Sequence, residues 1–141
     1  MKSRTILIIA TLATLLSLAS CIVTSQALGV EIACDRFTED PHSIRNDFQM
    51  EVNDKLTVKL CANPTTGFEW TYETSGDTVL KEEDHDSEEP EKEGVMGASG
   101  TEVWTFEAFE KGTTEVIMEY GQQWEGGEKG VWTYTITVTV E

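Results

Sequence analysis

Of the side chains suited to nucleophilic, acid–base or metal chemistry, this chain offers few: two histidines, His42 and His85, and three cysteines, Cys21, Cys34 and Cys61. Neither histidine stands in a motif that would aim it at a cysteine or serine nucleophile. A zinc site would need more ligands at workable spacings, and His85, set in an acidic run, reads as a solvated side chain. That run, KEEDHDSEEPEKE from Lys81 to Glu93, gathers carboxylates that could hold calcium, yet it lacks the glycine-containing Asp-x-Asp loop that fixes such a site. It reads instead as a solvated, self-repelling insertion in the polar stretch between Thr71 and Gly100. The expectation is a chain with no catalytic residue, no metal and no cofactor, and therefore not an enzyme.

Three other segments have a chemistry of recognition. In Asn63-Pro64-Thr65-Thr66-Gly67 the proline fixes its own φ and biases Asn63 away from the helical region, the β-branched threonines have few rotamers, and Gly67 can take a positive φ. Such a loop holds one shape before it meets a partner, which lowers the entropy lost on binding. It can equally be an ordinary turn ending two strands. Gly97-Ala98-Ser99-Gly100-Thr101-Glu102 carries small residues that admit another backbone closely, or that simply make a flexible connector. The third segment, GQQWEGGEKG from Gly121 to Gly130, sets Trp124 among glycines and polar residues. A tryptophan so placed either folds back on the core or anchors an interface.

The elements that must carry these loops have a period of two. Phe48, Met50 and Val52 alternate with polar residues up to an Asn53-Asp54 turn signal, after which Leu56, Val58 and Leu60 alternate again, as in a hairpin with one buried face. The pattern returns at Phe68, Trp70 and Tyr72, at Trp104, Phe106 and Ala108, and at Val116, Met118 and Tyr120. It is cleanest at Trp132, Tyr134, Ile136, Val138 and Val140, with Thr133, Thr135, Thr137 and Thr139 on the other face. About six such strands fit an all-β domain, an immunoglobulin-like antiparallel β-sandwich or barrel, with the three loops at one end forming a binding wedge.

With 141 residues, 39% of them hydrophobic, the chain can bury one core. Lys2 and Arg4 ahead of the apolar run Ile6 to Leu18 have the form of a signal peptide, so the chain is read as exported. Leu18-Ala19-Ser20-Cys21 resembles a lipobox, which would make Cys21 a lipidated first residue, and Ser25-Gln26-Ala27 is an alternative site for ordinary signal peptidase. The lipobox is favoured, giving a signal peptide over 1–20, an arm over 21–43 and a domain over 44–141. A cell-envelope lipoprotein is then expected, with a secreted or periplasmic protein as the alternative. Cys34 and Cys61 remain as an even pair, read as a disulfide that pins the arm beside the first loop, against the alternative of two free buried thiols. Loss of residues 1–20 removes Lys2 and Arg4 and takes the formal charge from −16 to −18. Such a surface repels nucleic acid and anionic membranes, leaving a lipid on Cys21 as the route to a membrane. Nothing in the chain argues for an oligomer, and a monomer is expected.

From about Phe48 onward the sequence resembles the chagasin-type inhibitors of papain-like cysteine proteases. The resemblance rests on Asn63 to Gly67 followed by Phe68 and Trp70, on the glycine-rich Gly97 to Gly100 ahead of an aromatic strand, and on Trp124 before the last strand. It implies a tight-binding, reversible, non-covalent inhibitor whose protease-binding residues are Asn63, Pro64, Thr65, Thr66, Gly67 and Phe68 in the catalytic cleft, with two flanking groups. Gly97, Ala98, Ser99 and Gly100 would lie on the non-primed side, and Gln122, Gln123 and Trp124 on the primed side. Two departures stand out: Gln122-Gln123 replaces the family's Arg-Pro, losing a charge and a stiff residue, and Ser99 stands where glycine is common. The competing reading is an immunoglobulin-like envelope lipoprotein domain that uses the same loops for adhesion or assembly.

Overall fold

The computed structural model describes residues 24–76, 78–89 and 99–141. Among the described residues, eight strands form two four-stranded sheets. In chain order they are β1 (Ala27–Ile32), β2 (Ser43–Met50), β3 (Lys55–Ala62), β4 (Phe68–Thr74), β5 (Leu80–Glu88), β6 (Gly100–Ala108), β7 (Gly112–Gln122) and β8 (Trp132–Val140). One sheet has the order β1-β3-β6-β5 and the other β2-β8-β7-β4. The alternating rows face each other and make one core: Leu56, Val58 and Leu60 with Trp104, Phe106 and Ala108 from the first sheet, and Val116 and Met118 with Tyr134, Ile136 and Val138 from the second.

The all-β sandwich is as expected, and five details differ from the sequence reading. Both sheets are mixed: β1 runs parallel to β3, and β2 parallel to β8. Period two tells which side chains face inward but not which strand lies alongside, so direction was not legible. For the same reason β2 and β3 are not a hairpin. The turn at Asn53, with φ +76°, passes the chain from one sheet to the other, and the buried Asp54 fastens it by accepting the backbone N–H groups of Glu51 and Gln26. The segment read as an arm supplies strand β1 and a four-residue helical turn, α1 (Cys34–Phe37). Phe37 from that turn is completely buried and stacks on Trp132 at 5.2 Å.

The fourth difference concerns the acidic run, whose first part is not a solvated loop. Residues 81–88 belong to β5, an edge strand paired antiparallel with β6. Its charge is offset by lysines of β3 reaching across β6: Lys55 meets Glu83, and Lys59 meets Glu88 at 2.7 Å. Exposed pairs of this kind contribute little individually. Charged side chains and a bulge between Glu82 and Asp84 also suit a sheet edge that must not recruit other strands. Thr135, read from sequence on the face opposite the core row, is buried, while Thr133, Thr137 and Thr139 on the same face stay partly exposed.

Candidate functional site

Register places the ends of all three loop segments together. Ala62, the last residue of β3, lies opposite Gly100, the first of β6. Phe68, the first residue of β4, lies opposite Gln122, the last of β7. Loop 1 (residues 63–67), the connection entering β6, and loop 3 (residues 123–131) therefore leave from one end of the sandwich. Gly97 and Ala98 lie outside the described residues. Ser99 is exposed and Gly100 half-buried at that same end.

Loop 1 is built from its own hydrogen bonds. Pro64–Thr66 makes one 3-10 turn, in which the Thr66 N–H and hydroxyl both donate to the Asn63 carbonyl, at 3.2 and 2.7 Å. Asn63 Oδ1 accepts the Thr65 hydroxyl at 2.6 Å and the Thr65 N–H at 3.3 Å. Gly67 then reverses the chain with φ +73°, a region where a side chain is costly. These are local side-chain to backbone bonds of the kind that fix turns.

Beneath the loop lies a layer of aromatic rings, of which the sequence reading gave Phe68 a binding role and placed Tyr120 and Trp132 only on buried strand faces. The Asn63 N–H donates to the hydroxyl of Tyr120 on β7 at 2.8 Å. Burial raises that phenol's pKa above its ordinary value, against the pull of the Asn63 hydrogen bond. Tyr120 stacks on Trp132 at 4.8 Å and touches Phe68 and Trp70. Trp70 donates its indole N–H to the Cys61 carbonyl at 2.9 Å, tying β4 back to β3. Cys61 is bridged to Cys34, so the expected disulfide is present and secures α1 next to the stem of loop 1.

Loop 3 is a closed turn. The Gln122 N–H donates to Glu128 O at 2.7 Å, the Gly127 N–H to Trp124 O at 3.2 Å, and the Val131 N–H to Tyr120 O at 2.9 Å. Gln122 Oε1 accepts the Glu128 N–H, Gln123 donates to Gly121 O, and the Lys129 ammonium donates to Gln122 O. The two glutamines thus brace loop 3 internally. Trp124 remains 52% exposed, yet its benzenoid ring lies over Gly67, so that a β-carbon there would sit 2.6 Å from Cη2. Trp124 neither returns to the core nor stands free, because it rests on loop 1.

Glu102, inside the second segment singled out from sequence, has a definite place. It follows the inward row Ala108, Phe106, Trp104 on β6 and lies opposite Leu60, with its side chain only 14% exposed. Its Oε1 accepts the Trp70 backbone N–H at 3.2 Å, and its Oε2 lies 3.3 Å from His85 Nε2. Burial dominates and raises its pKa, while the Trp70 N–H and His85 pull the other way. His85 is not a solvated loop residue: its ring stacks on Trp104 at 4.2 Å with 10° between the planes. The signal that could have found this pair is the spacing of Glu102, two residues beyond Trp104 on an inward row.

Among the described residues no group of three His, Cys, Asp or Glu side chains is arranged to hold a metal ion. The loop end offers constrained backbone, small residues and one exposed indole, which is the equipment of a recognition surface.

Residues 49–138 match the family model described as chagasin family peptidase inhibitor I42. The chain is 28% identical over 88 residues to Amoebiasin-2 of Entamoeba histolytica, spanning 62% of this chain and 72% of that protein. Its fold is similar to that of EhICP2, described as a cysteine protease inhibitor from Entamoeba histolytica, with TM-score 0.62 and 21% identity over 82% of this chain and 95% of the other. It is also similar to PbICP-C, whose structure was solved in complex with falcipain-2, with TM-score 0.59 and 12% identity over 83% and 100% of the two chains.

Proposed function

The chain belongs to the chagasin family of peptidase inhibitors, and on that premise we propose that it inhibits papain-like cysteine proteases reversibly and non-covalently through the loop end of the sandwich. Loop 1, residues 63–67 with Phe68, enters the catalytic cleft. The connection holding Gly97 to Gly100 lies along one side of the groove, and Trp124 packs on the other. The observation that carries this reading is the seat of Trp124 on Gly67, which makes loops 1 and 3 one continuous surface before any partner arrives. A loop closed by its own hydrogen bonds loses little freedom on docking. It also offers no relaxed peptide in a near-attack geometry, so it blocks the cleft without being cut.

Gln122 and Gln123, which stand in the place of Arg-Pro, contribute to this surface by holding the loop 3 turn. The partner is a single protease molecule met by a monomeric inhibitor. Export, with a lipid on Cys21 as the membrane attachment, belongs to the same reading. The Cys34–Cys61 bridge supports it, since such bonds persist outside reducing compartments. Mass spectrometry of the native protein tests it, with an unmodified Cys21 or cleavage after Ala27 as the opposing results.

The test of inhibition is a titration of papain or a cathepsin with the purified protein, following hydrolysis of a fluorogenic peptide. Stoichiometric loss of activity is expected. Unchanged rates across several papain-like enzymes at micromolar protein would favour the adhesion or assembly module instead.

A further inference from the structure

Loop 1 has two stems in two different sheets. Its entry, Ala62, is tied into the first sheet by backbone pairing with Gly100 of β6. Its exit, Phe68 to Trp70, begins β4, an edge strand of the second sheet with a neighbour on one side only. Any shift of one sheet against the other at this end would move loop 1 relative to Gly100, the start of β6. Three side-chain bonds resist this: the Asn63 N–H to the Tyr120 hydroxyl, the Trp70 indole to Cys61 O and the Trp70 N–H to Glu102, and only the last reaches β6. Glu102 thereby returns the exit stem to β6, the strand that already holds the entry stem.

We infer that Glu102 is a positioning residue for the inhibitory surface: bridging from β6 to the Trp70 N–H of β4, and braced by His85 of β5, it fixes the spacing between loop 1 and the start of β6 at Gly100. The inference rests on the protease-inhibitor reading. A carboxylate at the last inward position of a core row is costly to desolvate, and an apolar residue would fit the row. The two hydrogen bonds offset that cost, and what they fix is the separation of the two stems. His85 keeps the carboxylate turned toward Trp70 because its own ring is immobilised on Trp104.

The experiment uses the full chain with Glu102→Ala, Glu102→Gln and His85→Ala. Two quantities are read: hydrogen exchange of the Trp70 amide in the free protein, and the inhibition constant and off-rate against papain, measured well below the melting temperature. A hydrogen bond to a charged group is strong enough that its loss should speed Trp70 exchange about tenfold and raise the inhibition constant by about as much, mainly through the off-rate. Glu102→Gln keeps an acceptor for the Trp70 N–H and should recover most of both losses. His85→Ala should give a smaller change in the same direction. A merely stabilising role would lower the melting temperature of Glu102→Ala and leave the inhibition constant of the folded variant at the wild-type value, which would overturn the assignment. Unchanged Trp70 exchange in Glu102→Ala would overturn it too. Wild-type protein that inhibits no papain-like enzyme would sink the inhibitor reading and the positioning role with it, whereas wild-type inhibition beside an unmoved alanine variant would sink only the role of Glu102.

Discussion

The benzenoid edge of Trp124 occupies the space that a side chain on Gly67 would need: a β-carbon there would approach Cη2 to 2.6 Å and Cζ3 to 2.8 Å. Gly67 is thus constrained twice, by its positive φ and by an indole from another loop. Gly67→Ala is expected to cost about 1–2 kcal/mol of stability from backbone strain and forced movement of the ring. It should weaken inhibition at least tenfold, since the turn and Trp124 shift together. Melting curves and inhibition constants check this, and wild-type inhibition by a folded Gly67→Ala protein would refute it.

Trp124→Ala removes both the exposed ring and the cover over Gly67. Anchoring aromatics typically contribute about 2 kcal/mol to an interface, or about thirtyfold in affinity. The loss should fall mostly on dissociation. Surface plasmon resonance on an immobilised protease separates the two rates, and matching off-rates would remove Trp124 from the interface.

Tyr120→Phe removes the Tyr120 hydroxyl that accepts the Asn63 N–H while keeping the aromatic stack. Loss of such a partly buried hydrogen bond costs about 1–3 kcal/mol, and here the cost falls at the stem of loop 1. A lowered melting temperature with a faster protease off-rate is expected. Loss of stability alone would mean that the loop holds its shape without this bond.

Glu102 binds its proton more tightly in the native protein than in the unfolded chain, chiefly through burial, with Glu69 adding to the shift and the Trp70 N–H and His85 opposing it. The Tyr120 hydroxyl feels the same charge. Between the ordinary carboxylate pKa and the raised native one, the native state therefore holds more protons than the unfolded state, and stability falls as pH rises through that window. Glu102→Gln should flatten this part of the profile. Melting temperatures taken from about pH 4 to pH 7 in both proteins test it, and identical slopes would refute it.

Replacing Cys34 and Cys61 together by serine opens a loop with a sequence separation of 27 residues. The expected loss is about 2–4 kcal/mol, measurable by urea unfolding with and without reductant. Phe37 should become more mobile in the same variant, because α1 then loses its covalent tie to the stem of loop 1.

Much of the core was legible because Trp104, Phe106 and Ala108, or Tyr134, Ile136 and Val138, each alternate with polar residues, and alternation on a half-buried strand has one physical cause. Loop 1 was legible for a similar reason: proline and glycine act locally, and the turn they imply is present. What stayed hidden depends on partners far along the chain. β5 looks like a loop because its charges are met by lysines two strands away, and its inward positions hold Glu82 and His85 where strand patterning expects apolar residues. Phe37 is a lone aromatic in a polar stretch, with no period to mark it. The support of Asn63 by Tyr120 and the reach of Glu102 to Trp70 join residues 57 and 32 positions apart, and no local pattern encodes such distances.

The parallel pairing of β1 with β3 decides which way the molecule stands. Ala27 is in register with Lys55, at the far pole from Ala62, about 23 Å away along an extended strand. A leash attached ahead of β1 leaves from the floor of the sandwich while the loops crown its roof. On the proposal that Cys21 carries a lipid, the loop end proposed to meet the protease lies at the pole opposite the attachment, facing the surrounding fluid rather than the bilayer.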